Sequence, residues 1–167
     1  MDRKHFLLNT TAAATAFMIQ PLQGLSQKTG NEPYSTAIVK EFVAAGHGNL
    51  EKVKQMLAEH PNLLYARHDW GGGDFEEAIE GAGHVGNREI ATWLIENGAR
   101  PNIFVLAMLG ETGIVSSMIR KYPALLNAKG PHGLSLLHHA TKGGDPAKEL
   151  LEFLKEKGLR EMKFPIK

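Results

Sequence analysis

Apolar residues recur along this chain at helical spacing. In NREIATWLIENG, residues 87 to 98, Ile90, Leu94 and Ile95 stand at i, i+4 and i+5, and Ile114, Met118 and Ile119 repeat that pattern. Each segment predicts a helix with a narrow apolar stripe, inadequate alone and buried only when units stack. Small residues at Ala44, Ala45, Ala82, Gly83 and Ala107 predict companion helices whose neighbours approach closely. Gly98 and Gly158 follow helices and supply the left-handed backbone that stops them.

The pattern is periodic on a longer scale as well. AAGHGNLEKVKQML at 44 to 57 and AGHVGNREIATWLI at 82 to 95 share a frame: two small residues, two free positions, Gly-Asn, a charged stretch and a closing apolar pair. LAMLGETGIVSSMI at 106 to 119 is a third copy, so Gly48, Gly86 and Gly110 correspond. The spacings are 38 and then 24 residues, and their sum, 62, is also the separation of Pro61 from Pro123 and of Ala66 from Ala128. Units average about 31 residues, in the range of short helical-pair repeats.

NREIATWLIENGARPN resembles the second helix and turn of an ankyrin repeat, with Gly98-Ala99 after Leu94-Ile95 and Asn102 further on. GLSLLHHA, residues 133 to 140, is similar to the ankyrin G-x-T-P-L-H-x-A segment, with Ser135 for Thr and Leu136 for Pro. The resemblance covers residues 36–160 as about four units, the outer two divergent as caps. It implies an all-α ankyrin-repeat solenoid of stacked helix-turn-helix units with short finger loops or hairpins, followed by a tail at 161–167. Only 24 residues separate Gly86 from Gly110, against about 33 in the family. The missing residues belong to the projecting hairpin, so fingers are expected only in the second and fourth units, HDWGGGDFEE and AKGPHGLS, with a wider gap between them.

Residues 1–26 read differently from the rest. Arg3 and Lys4 precede a small and apolar segment from Phe6 to Ile19 that breaks at Pro21, the order of an export signal, and RKHFL resembles the twin-arginine type with Lys4 for the second arginine. A linker at 27–35 follows. A periplasmic or extracellular protein is therefore expected. Without residues 1–26, Lys+Arg falls from 19 to 17 and Asp+Glu from 18 to 17, so no basic surplus exists to bind nucleic acid. No stretch approaches the length of a spanning helix. The chain has no cysteine, which excludes disulfides, a thiol nucleophile and thiolate metal sites.

The candidate chemistry is sparse. No G-x-S-x-G elbow, phosphate loop or dinucleotide fingerprint occurs, and WGGGD at 70 to 74 carries acids and no lysine, so no catalytic residue is assigned. Asp74, Glu76 and Glu77 read as a solvated finger flank and the electronegative start of a helix. In the family the histidine at His138 bonds backbone groups and ties finger to helix; Glu80 and Phe104 hold the equivalent positions. His139 lies beside it, where the family faces its concave groove. Adjacent histidines diverge by about 100° on a helix and cannot share an ion as an i, i+4 pair does. His132, His139 and His84 converge across the groove only if the fingers lean together, and no metal or cofactor is expected. The resemblance implies a monomeric, non-enzymatic module binding a protein partner. Asp69, Trp70, Asp74, Phe75, Glu76 and Glu77 from one finger, with Pro131, His132, Leu134 and His139 opposite, are the expected contact residues. Trp70 either points outward as an anchor or folds back over the core. The alternative is a small-ligand or metal site in the groove between the two fingers.

Overall fold

The computed structural model describes residues 32–166, so the export segment read at 1–26 and most of the linker lie outside the described residues. Within the unit Tyr34–Lys167, helices dominate and come in four pairs. The first pair is α1 (Thr36–Gly46) and α2 (Leu50–Glu59); the second is α3 (Ala78–Val85) and α4 (Arg88–Glu96). The third is α5 (Ile103–Leu109) and α6 (Thr112–Lys121), and the fourth is α7 (Leu136–Gly143) and α8 (Lys148–Glu156). The first helices pack in series, α1 on α3, α3 on α5 and α5 on α7, and each second helix packs on its own partner.

The recurring Gly-Asn of the sequence frame has a physical basis. Asn49 and Asn87 are the N-caps of α2 and α4, each side-chain oxygen accepting a backbone N–H of the first turn, from Lys52 at 3.0 Å and Ile90 at 3.1 Å. Such a bond satisfies a donor that the helix cannot use itself. Asn102 caps α5 in the same way, and Ser135 caps α7. The 62-residue recurrence also has a structural counterpart. Pro61–Tyr65 and Pro123–Asn127 both form 3-10 turns, entered through His60 and Tyr122 with nearly equal backbone angles (φ −138°, ψ 73° and φ −129°, ψ 80°).

The only strands among the described residues are β1 (Arg67–Asp69) and β2 (Phe75–Glu77), an antiparallel hairpin in which Asp69 faces Phe75 and Arg67 faces Glu77. The turn between them needs its glycines: Gly71, Gly72 and Gly73 all have positive φ, and Asp69 Oδ1 accepts the Gly71 N–H at 2.8 Å. Only residues 97–102 join α4 to α5, without a strand. The third pair therefore has no hairpin, as the short spacing predicts. The wider gap expected between the two fingers is closed: the next loop, Pro131–Gly133, reaches back to the hairpin of the second pair, its His132 N–H donating to Asp74 Oδ1.

Two apolar clusters hold the array together. Phe42, Leu63, Ile79, Ile90 and Leu94 centre one, and Ile119, Leu136, Leu150 and Leu154 the other. Helix α5 serves both, sending Val105 and Met108 to the first and Ile103 and Ala107 to the second. One expected stripe is rotated. Ile114 is 49% exposed, whereas Val115 is fully buried and Ile119 nearly so. The pair at i and i+4 that faces the core in α6 is Val115 and Ile119, which leaves Ile114 in water one residue off the seam. Ile119→Ala should accordingly cost about 2–5 kcal/mol in chemical denaturation, the usual range for emptying a core site, and Ile114→Ala about 0.5 kcal/mol or less, as at an ordinary surface position.

Candidate metal centre

Side-by-side packing of α1 and α3 brings two histidines together. His47 caps the C-terminus of α1 and His84 sits in the last turn of α3, and their Nε2 atoms lie 2.9 Å apart. Gly81 makes the approach possible, since a Cβ there would come within 2.8 Å of the His47 ring. His132 comes from the fourth pair's loop, and Glu76 points inward from the middle of β2. One nitrogen from each histidine and one Glu76 oxygen all lie within 4.8 Å of one another. Glu76 Oε1 is 3.0 Å from His84 Nε2 and 3.6 Å from His132 Nε2, and Oε2 is 3.6 Å from His47 Nε2.

The surrounding hydrogen bonds prepare these atoms as ligands. His47 Nδ1 lies 3.1 Å from Val43 O, a carbonyl that can only accept, so the proton sits on Nδ1 and Nε2 presents its lone pair to the centre, where His84 Nε2 meets it at 2.9 Å. His132 Nδ1 is likewise committed to Asp74 Oδ2 at 2.7 Å, while the His132 backbone N–H donates to Asp74 Oδ1 at 2.7 Å. Carbonyl or carboxylate partners on the far ring nitrogen are what fix metal-ligating histidines in tautomer and orientation. Trp70 Nε1–H donates to Glu76 Oε2 at 2.7 Å and leaves Oε1 directed at His84 and His132. Glu76 has no exposed surface, and Oε1 is without a hydrogen-bond partner, because the His84 ring nitrogen is directed at His47. Burial pushes the Glu76 carboxyl up, yet the His84 ring, the His47 charge and the Trp70 N–H together outweigh it and hold the group below the usual carboxylate range. The site is thus an anion facing three imidazoles, two of them partly open to solvent.

Several expected contact residues lie elsewhere than on an open surface. Glu76 is buried and does not belong to a solvated flank. Pro131 and His139 are buried too. His139 donates from Nδ1 to Ser135 O at 2.8 Å and packs against Phe104, so it faces the core between helices and takes no part in the cluster. Trp70 is half-buried, its indole N–H directed inward and its ring meeting His68 edge-on. Asp69 and Phe75 are exposed, Asp74, Glu77, His132 and Leu134 intermediate. Glu77 caps α3; burial and then the Glu80 charge push its carboxyl up, against Arg67 and Arg100. Glu80, whose departure from histidine was expected to forfeit the tie, makes one nonetheless, accepting the Glu77 N–H at 2.7 Å and Arg67 Nη2 at 3.0 Å, which joins hairpin to helix. His138 bonds the His84 carbonyl at 2.8 Å, a link from α7 to α3.

Of the three histidines considered for convergence, His84 and His132 meet and His139 does not. His47 and Glu76 were not legible as ligands by motif spacing. A usable signal was present: His47 and His84 both occupy free positions of the repeated frame, at the ends of helices that stack. On the opposite face of β2 lies a cavity of about 410 Å³ between hairpin and loop, lined by Arg67, Phe75, Glu80, Asn102, Lys129 and Pro131 among others. No protein-family model matches the chain, and no curated protein matches it.

His139 generates a pH prediction. Burial pulls its pKa down to about 4 despite the Ser135 carbonyl, which favours the protonated ring. The unfolded chain, with a histidine pKa near about 6.5, takes the proton first. Stability is therefore complete above that pH and falls as pH drops toward 4, by about 3 kcal/mol in total. In chelator-treated protein, His139→Gln should flatten this part of the denaturation profile between pH 7 and 4. Equal slopes in both proteins would contradict it.

Proposed function

We propose that the protein is a metal-binding protein, taking a divalent transition ion, zinc in the first place, at His47, Glu76, His84 and His132. The observation that carries this reading is Glu76, a carboxylate sealed from water whose Oε1 has no hydrogen-bond partner and faces the His84 and His132 nitrogens, with His47 Nε2 beside Oε2. The opposite charges beside this buried carboxylate are imidazoles, which carry charge only when protonated, and a cation at the centre of the cluster would supply a permanent one. Zinc–nitrogen bonds of about 2.0–2.1 Å at tetrahedral angles place donor atoms about 3.3 Å apart. Here His47 and His84 Nε2 stand 2.9 Å apart, Glu76 Oε1 is 3.0 Å from His84 Nε2 and 3.6 Å from His132 Nε2, and the four donors all lie within 4.8 Å of one another, so a bound ion would draw the wider pairs inward. Imidazole and carboxylate donors without thiolate suit zinc and its neighbours in the first transition row.

The scaffold is read as an ankyrin array of about four units. Its support is the four helix pairs, the 62-residue recurrence and the hairpin in the second unit. Export of the chain, read from residues 1–26, agrees with a ligand set that oxidation does not destroy. A second reading, a finger that binds a protein partner, is favoured by Phe75 and Asp69, which stand exposed at the facing ends of the hairpin strands. It is tested by capture from an envelope extract with wild type beside Phe75→Ala.

Calorimetric titration with zinc should give one site per chain. At a free zinc concentration of 100 Kd the folded state should gain about 2.7 kcal/mol in denaturant unfolding. Glu76→Gln keeps the acceptor for Trp70 but loses the charge, and should weaken zinc by about 100-fold or more. A wild-type chain that neither takes up zinc nor is stabilised by it sinks the reading.

A further inference from the structure

The donors of the centre are drawn from distant parts of the array: His47 from the first helix pair, Glu76 and His84 from the second, His132 from the fourth. Each has one atom to offer. The Nδ1 atoms of His47 and His132 are committed to Val43 O and Asp74, and Glu76 Oε2 is committed to the Trp70 indole. Three nitrogens and a single oxygen complete the four-coordinate shell of a structural zinc, whereas reactive zinc sites keep a position for water.

The loop that carries His132 is strained and reaches the hairpin through that residue. His132 is the one non-glycine residue with positive φ among those described (φ 58°, ψ 16°). Its backbone N–H and its ring both go to Asp74. Behind it the loop is joined to the C-terminal segment: Phe164 N–H donates to Gly133 O at 2.7 Å, Ser135 N–H to Met162 O at 3.0 Å, and Leu134 bridges Lys163. Lys129 Nζ donates to Pro165 O at 2.8 Å. Loop and C-terminal segment therefore form one mechanical piece, and His132 is its connection to the second unit.

Resting on the metal-centre reading above, we propose that the centre is a closed, four-coordinate zinc clamp. In it Trp70 holds Glu76 to one-oxygen binding, and the ion fastens the loop Pro131–Gly133, with the C-terminal segment 161–166 behind it, onto the hairpin of the second unit. Trp70 and Asp74 are positioning residues, acting through Glu76 and His132.

The test uses the full chain with and without zinc, read by amide hydrogen exchange, with Co2+ as a spectroscopic substitute for zinc. Zinc should slow exchange in residues 132–135 and 161–164 by about tenfold or more, since both segments would then open only with loss of the ion. Co2+ should give the intense visible bands of four-coordination. Trp70→Phe should bind Co2+ with weaker bands, because Glu76 is then free to use both oxygens. His132→Ala should keep weak zinc binding through three donors and lose the protection of both segments. Zinc binding in the wild type without slowed exchange, weak five- or six-coordinate Co2+ bands, or protection that persists with zinc bound to His132→Ala would each overturn the clamp and leave the metal centre standing. An absence of metal binding in the wild type would overturn both.

Discussion

A carboxylate with no access to water sits at the join between hairpin and helices, and the arrangement around it follows from keeping it charged. Glu76 is surrounded by the Trp70 indole N–H and by imidazoles from three different helix pairs, with no lysine or arginine among its ion-pair partners. Removing one partner from such a group leaves a buried charge that costs far more than the lost contact is worth. The hairpin, the ends of α1 and α3, and the loop before α7 are consequently bound to one another through a polar centre, whereas the helices are bound through methyl and methylene groups.

These two kinds of contact impose different tolerances. Apolar packing is satisfied by volume and accepts side chains that shift by a fraction of an ångström. A ligand set depends on direction, and here direction is supplied from outside the set: Val43 O and Asp74 fix two ring tautomers, Trp70 orients the carboxylate, and Gly81 leaves the space in which the His47 ring stands. None of these four groups is a candidate ligand, and each constrains one.

Much of the scaffold was legible in the sequence because helices announce themselves locally. The Gly-Asn frame and the 62-residue proline recurrence marked equivalent positions, which the structure resolves as the N-caps Asn49 and Asn87 and two 3-10 turns, and the short spacing from Gly86 to Gly110 located the pair without a hairpin. Ile114 was misjudged because a stripe of three apolar residues on α6 does not say which two face inward, and Val115 decides it. The centre was only half legible. His132 and His84 were visible as residues that leaning fingers would bring together, but 48 positions separate them, and their distance depends on stacking angles that no local pattern encodes. Glu76 read as a surface acid because its neighbours Asp74 and Glu77 are acids. In a strand of alternating faces its position between Phe75 and Glu77 was the better guide.

Repeat arrays are ordinarily modular, since each unit contacts its neighbours and units can be added, lost or exchanged with modest effect. The connection from residue 97 to residue 102 suspends that freedom here. Because the third unit carries no hairpin, the loop of the fourth meets the hairpin of the second across the space a finger would have filled, and Asp74 and His132 depend on that shortcut. Duplicating a unit, or restoring a full-length finger to the third, would leave every helix pair intact and separate the two halves of the centre. In the proposed array the order and number of units are thus tied to this polar centre as well as to packing, and diversification is expected by substitution rather than by gain or loss of repeats.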